Sequence, residues 1–277
     1  MNIFVTGGAG FLGRYIVEEL SRKGCTPSFS ARRLSALTCE DLKGFDAVIH
    51  TAALKPGPYT EAEFRNVNAE GTRHLVEACV KAGVTRFVHI SSMAVGADRD
   101  DPYSTSKKEA EQHVQASGLH WTIVRPGAIY GLSDWWISYL RLMKHKRLIV
   151  VIGDGEHPMH QIYVKDCATA IVDVVRREEP ARRIYYASAE PITYNHCLAV
   201  LKASLGAGFH TVHIPLWAGR MIAAGMKHVL RSPKPHYAAD PRKNVTTESG
   251  IRLKCAARTF DVGLAEVLSE LFGKPQA

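Results

Sequence analysis

No stretch of this chain stays apolar for the ~18–20 residues that a membrane span needs, so no integral membrane segment is expected. The opening run, MNIFVTGGAG, has no basic segment of the kind that begins a secretory leader, and none is expected. The six cysteines (25, 39, 79, 167, 197 and 255) are scattered, without CxxC spacing. That pattern excludes a disulfide framework and a zinc knuckle, and suits reduced thiols in the cytoplasm. The 13 histidines show no metal-ligand spacing either, so no metal is expected and none of them is assigned to catalysis. There is no internal repeat and no low-complexity segment.

What the chain does have is the balance of a soluble globular protein: 46% hydrophobic and 22% charged over 277 residues. That length allows one large domain or two small ones. The net charge is +8, but the basic residues are spread along the chain and no nucleic-acid-binding module is present. Phosphorylated small molecules suit this charge better than nucleic acid does.

Short β-rich runs alternate with helical patterns. Strands are expected at 2–7, 26–32, 46–52, 86–92 and 121–127, and helices at 11–24, 68–83 and 102–118. The last helix has Asp101 as its cap, Pro102 at its first position and Gly118 as its stop. Strands apolar on both faces and joined by helices imply a parallel sheet covered on both sides. Right-handed crossovers make that an α/β, Rossmann-type doubly wound fold. After about residue 128 the pattern loosens, and a smaller, interleaved C-terminal substrate domain is expected. Residues 1–128 and about 160–181 would form the nucleotide-binding part, and about 129–159 with 182–277 the substrate-binding part.

The segment TGGAGFLG places Gly7, Gly10 and Gly13 in GxxGxxG spacing between a strand and a helix. The first glycine permits the tight turn, the second a close approach of a diphosphate, the third close packing of helix on strand. The free N–H groups and positive potential of the helix N-terminus then face the phosphates. A dinucleotide site is expected here. NAD sites usually carry an acid at the end of the second strand, to bond the ribose 2′-OH. This chain reads Ser30-Ala31-Arg32-Arg33 there. Two guanidinium groups suit a 2′-phosphate, so NADP is preferred over NAD, unless both arginines are only solvated loop charges.

These motifs continue in order along the chain: TGGAGFLG, Asp41-Leu42, HTAALK (50–55), NVNAEGT (66–72), HISSMAVG (89–96), YSTSK (103–107), RPGAIYG (125–131) and IYVKDCATAI (162–171). Together they resemble the extended short-chain dehydrogenase/reductase family, which includes NAD-dependent epimerase/dehydratases and 3β-hydroxysteroid-dehydrogenase-like enzymes. The resemblance implies cofactor contacts from Phe11 and Leu12 beside the glycines, and adenine contacts from Asp41 and Leu42. It adds Thr51, Ala52, Ala53, Lys55 and Pro126 along the cofactor. It also implies that Asn68 braces the active-site backbone, although a helix N-cap is an adequate role for that asparagine. Lys55 is equally well read as a solvated loop lysine, and His50 is expected to pack near the cofactor.

The physics of YSTSK fits this resemblance. Residues four apart share a helix face, so Tyr103 and Lys107 point the same way. A free tyrosine titrates near ~10 and is a poor base at neutral pH. A nearby ammonium favours the phenolate, which can then take or give a hydroxyl proton while hydride moves to or from nicotinamide. The family lysine also holds the nicotinamide ribose, which would fall to Lys107. The third member should be a hydroxyl that steadies the substrate oxygen. Counting back from Val95 gives Ser92, with Ser91 as the alternative register. Two departures stand out: Gly96 replaces the family tyrosine, and only ten residues separate Ser92 from Tyr103, which suggests an open site.

Several readings stay open on sequence. Arg125 can pair with an acid at the strand end. Tyr130, Trp135 and Trp136 can wall the substrate pocket or fill a core. The expected reaction is oxidoreduction of a small-molecule carbonyl or alcohol. The alternatives are a nucleotide-sugar epimerase or dehydratase with retained NAD, and a non-catalytic NADP-binding sensor. Ala128 stands where many nucleotide-sugar enzymes of the family carry asparagine, which favours oxidoreduction. Arg220, Lys227 and Arg231 could hold a diphosphate, which favours the alternative. Residues 216–230 read as an amphipathic helix, for a pocket wall or a membrane surface. A homodimer through the helices containing 68–82 and 103–117 is expected from the resemblance alone.

Overall fold

Strand β1 (Asn2–Thr6) sets the frame, because its residues are buried alternately on both sides of a sheet. The computed structural model of the chain describes residues 1–97, 101–177, 182–222, 251–253 and 257–272. Its central sheet also contains β2 (Thr26–Ser30), β3 (Ala47–His50), β4 (Arg86–Ile90) and β5 (His120–Pro126). Two later strands, β10 (Arg183–Ala187) and β13 (Ile251–Arg252), complete it. The order is β13-β10-β5-β4-β3-β1-β2, and every pairing is parallel. The chain runs outward from β1 to β2, then crosses back to β3. The order of strands therefore reverses at β1/β3, where a crevice opens at their carboxyl ends.

Each sheet face is covered by helices, as the apolar alternation requires. On one side Ile3, Val5, Ile49, Val88 and Val124 pack against Ile16 and Leu20 of α1 (Phe11–Arg22) and Ile171 and Val175 of α6 (Val164–Arg176). On the other side Phe4, Val48, Phe87 and Ile123 meet Leu75 and Cys79 of α3 (Gly71–Ala82) and Val114 of α4 (Pro102–Ala116). On this second side the last inward positions of three strands turn polar: Thr6, His50 and His89 are all buried.

A third core gathers Tyr130, Trp136, Leu140, Tyr163, Leu198, Phe209 and Leu264. It draws on β6 (Ala128–Tyr130), α5 (Asp134–His145), β9 (Gln161–Tyr163), α7 (Tyr194–Leu205) and α8 (Phe260–Phe272). Tyr130 and Trp136 are thus core residues. Short pairs complete this region: β6 with β9, β7 (Leu148–Ile152) with β12 (His210–Ile214), and β8 (Pro158–Met159) with β11 (Ile192–Thr193).

Strand β10 pairs with β5 and lies one place in from the β13 edge of the sheet. One expectation needs correction. The helix expected at 68–83 begins earlier: α2 (Glu61–Phe64) carries a Thr60–Glu63 capping box and runs through a π-helical turn, Arg65–Glu70, into α3. Residues 216–222 are helical, and the remainder of 216–230, with Lys227 and Arg231, lies outside the described residues. Among the described residues no helix is long and apolar enough to cross a membrane.

Candidate active site

The crevice is built first by the glycine turn. Gly7 has φ +69°, in the left-handed region that favours glycine. Its carbonyl accepts the Gly10 N–H at 2.8 Å, closing the turn. A Cβ on Gly13 would sit 2.0 Å from the Gly7 carbonyl oxygen, so only glycine lets α1 approach β1 this closely. Helix α1 starts at Gly10 with no side-chain cap. The N–H groups of Phe11, Leu12 and Gly13 therefore have no partner of their own helix, which is the donor set a diphosphate fills. The residues present fit a dinucleotide.

This turn forms one wall of a cavity of about 960 Å³. Gly7, Gly10, Phe11, Leu12 and Gly13 line it on one side, and Thr51, Ala52, Ala53 and Lys55 beyond β3. Thr51 Oγ1 donates to the Thr6 carbonyl at 2.8 Å, tying the β1 and β3 ends together. Ser91, Ser92, Tyr103, Lys107 and Pro126 line the same cavity. The three proposed catalytic groups thus share one cavity with the glycine turn.

Helix α4 delivers Tyr103 and Lys107. Its cap is Asp101, whose carboxylate accepts the Ser104 N–H at 3.1 Å. The Tyr103 ring packs edge-on against Phe64, with centroids 6.0 Å apart. Lys107 is only 2% exposed, and its ammonium donates to the Ile90 carbonyl at 2.7 Å. Burial drives its pKa down to about 8, against the opposing pull of Glu111. His50 and His89 lie beneath, with ring centroids 5.2 Å apart. Burial and then the Lys107 charge push His50 down to about 3, and burial likewise holds His89 well below its ordinary range. His50 is held between Thr6 and Thr72 at 2.7 and 2.9 Å.

The two serines part company here. The Ser91 hydroxyl donates to the buried Glu111 carboxylate. Its proton is committed there. Ser92 instead accepts the Ala94 N–H at 3.1 Å, capping a 3₁₀ turn at Met93–Gly96. That bond uses a lone pair and leaves the Ser92 proton available to a substrate oxygen.

Asn68 sits inside the π-helical turn, so it is not a helix cap. Its side-chain carbonyl accepts the Leu54 N–H at 2.7 Å. Its amide donates to the Leu54 carbonyl and to Ser106 Oγ. It steadies the loop behind Lys55 without itself lining the cavity.

Four other predicted contacts also lie off the cavity. Arg32 forms an ion pair with Asp41, which also accepts from Thr38 N and Oγ1, both at 2.9 Å. Half-exposed, Arg32 can turn from that partner towards a phosphate; Arg33 lies on the same surface loop, exposed. Leu42 is fully buried, and its N–H donates to the Cys39 carbonyl. Its side chain packs inward, because an apolar group gains more in the core than at a solvated groove.

Sequence reasoning missed other lining groups. Tyr59 and Met93 approach from the loops, and His157, Met159, His160 and Gln161 from around β8 and β9. No local pattern marks those last four, because strand pairs of only two and three residues bring them to the site. Glu111 stands four residues after Lys107, a spacing that puts both on one helix face. Among the described residues no cluster could hold a metal ion.

Residues 3–187 match the NAD dependent epimerase/dehydratase family. The chain belongs to that family. This member is similar to a 4-hydroxy-2-methyl-3-oxo-4-farnesyl-3,4-dihydroquinoline-1-oxide ketoreductase of Stigmatella aurantiaca, at 27% identity over 80% of this chain and 79% of the relative. It is 30% identical to a ceramide reductase of Caulobacter vibrioides, over 63% of this chain and 61% of that protein. In structure it resembles a dTDP-glucose 4,6-dehydratase of Streptomyces venezuelae, solved with NAD bound. The TM-score is 0.71 at 20% identity, covering 97% of this chain and 96% of that one. At that identity the likeness speaks for the fold alone, and it matches the parallel sheet described above.

Proposed function

We propose that this family member is an NAD(P)-dependent oxidoreductase acting on a carbonyl or alcohol carbon of a small molecule through Ser92, Tyr103 and Lys107. One observation carries the reading: these three side chains line the same cavity as the Gly7–Gly13 turn. The bound dinucleotide would supply or accept hydride at its nicotinamide ring. Ser92 orients the substrate oxygen and steadies the charge that develops on it. Tyr103 exchanges a proton with that oxygen. Lys107, held by Ile90, keeps positive charge one helical turn from the phenol and holds the nicotinamide ribose. NADP is preferred through Arg32 and Arg33. The two curated relatives described above, a ketoreductase and a reductase by name, support oxidoreduction over epimerisation.

The test is hydride transfer followed by nicotinamide absorbance across a panel of ketones and alcohols. Tyr103→Phe should reduce it by about 10²–10⁴-fold while dinucleotide binding persists. Turnover unaffected by that change would refute the catalytic assignment. Tightly retained NAD in the purified protein, with no net turnover, would favour the epimerase or dehydratase alternative. A homodimer through α3 and α4 is part of the same reading, and light scattering at monomer mass would reject it.

A further inference from the structure

Glu111 belongs to no motif used above, yet among the described residues it is one of the most constrained carboxylates. It is 2% exposed and lies on α4 one turn beyond Lys107 and two beyond Tyr103. Tyr103, Lys107 and Glu111 therefore follow one another along one helix face. Both carboxylate oxygens are occupied. Arg125 Nε donates to Oε1 at 2.8 Å and Arg125 Nη2 to Oε2 at 2.6 Å, a two-pronged pair. The Ser91 hydroxyl is the third donor. Arg125 in turn donates from Nη1 to the Tyr186 hydroxyl at 2.8 Å. A single buried group thus joins α4 to the ends of β4, β5 and β10. Breaking such a pair leaves an uncompensated buried charge, and a neutral apolar filling is often no less stable. Stability alone does not explain ions at this position.

We propose that Glu111 is a positioning residue for the active site: it holds the strand end that carries Ser92 against α4 and keeps Lys107 in its ammonium form. The proposal rests on the function inferred for Lys107. The groups facing Lys107 show why the second task falls to Glu111. From α4 the lysine meets Tyr103 and Glu111, and from the sheet it meets His50 and His89. Both imidazoles are buried and neutral. His89 has no hydrogen-bond partner on either ring nitrogen among the described residues. Neither imidazole offers negative charge. Burial discharges the lysine, and Glu111 opposes burial. Arg125 stands against both Glu111 oxygens and Ser91 donates to one of them, so the carboxylate is fixed in place one turn from the lysine.

The experiment needs a readout that simple loss of packing would not move. Lys107→Met removes the titrating group, so the pH dependence of its effect on unfolding reports the charge state of Lys107. In the native background the effect should begin to fade at about pH 8 and be gone by about 10.5. In a Glu111→Gln background the fading should begin about one pH unit lower, because a tenfold lower proton activity is enough to hold the lysine charged only when the carboxylate is present. If Glu111→Gln does not fold, the pair Glu111→Gln with Arg125→Met removes both buried ions and serves the same measurement. The same onset with and without the carboxylate would overturn the proposal. The alkaline limb of hydride transfer should move down by the same interval. Absence of any turnover in the native protein would count against the functional reading, while the unfolding comparison would still decide the role of Glu111.

Discussion

Replacing Lys107 by methionine should make this protein more stable near neutral pH while removing its activity. The lysine is 2% exposed, and its pKa falls from 10.5 to about 8 on folding. Between those values the unfolded chain binds more protons than the folded one, so stability rises with pH across that window. Below about 8 the charged form is disfavoured in full, and at ~1.4 kcal/mol per pH unit the penalty is about 3 kcal/mol. Methionine is unbranched and of similar length, so it fills the same space. It leaves the Ile90 carbonyl without its 2.7 Å donor. That loss costs roughly 1–2 kcal/mol. A net gain of about 1–2 kcal/mol remains, or a few degrees in melting temperature for a chain of this size. Urea unfolding of both proteins from pH 6.5 to 10.5 measures it. A methionine variant less stable than the native chain at pH 7 would refute the reasoning. So would a difference that stays constant between pH 8 and 10.5.

Two further outcomes are expected. Gly13→Ala would place a Cβ 2.0 Å from the Gly7 carbonyl oxygen. Relief requires moving α1 away from β1, at about 1–3 kcal/mol, so dinucleotide affinity in fluorescence titration should fall at least ~10-fold. An unchanged affinity would show that the phosphates do not sit on this turn. Arg32→Ala with Arg33→Ala should weaken NADPH by ~10–100-fold, the worth of charge-assisted hydrogen bonds, and leave NADH nearly unaffected. Equal losses for both dinucleotides would sink the 2′-phosphate assignment.

Much of this molecule was legible in its residues taken in order. The GxxGxxG turn, the helix starting at Asp101-Pro102 and the Tyr103–Lys107 pair depend on groups within a few residues of each other. Backbone geometry alone governs such short spacings. The parallel sheet followed from strands apolar on both faces, and the same alternation sorts Ile3 and Val5 from Phe4. These features belong to the sequence because no distant contact is needed to state them.

Other features exist only once the strands are laid side by side. Glu111 meets Arg125 and Ser91 because α4 lies across the ends of β4 and β5. That meeting separates the roles of the two adjacent serines, which counting could only rank. The Leu42 side chain packs into the core, which offers it more apolar contact, and Arg32 turns to Asp41 because an opposite charge lies within reach. The His157–Gln161 edge joins the cavity through strand pairs of two and three residues, too short to leave a periodic signal. Local spacing decided which chemistry the chain could carry. The register of the sheet decided which side chains share a site, because contacts between residues far apart in sequence are set by strand order rather than by neighbouring residues.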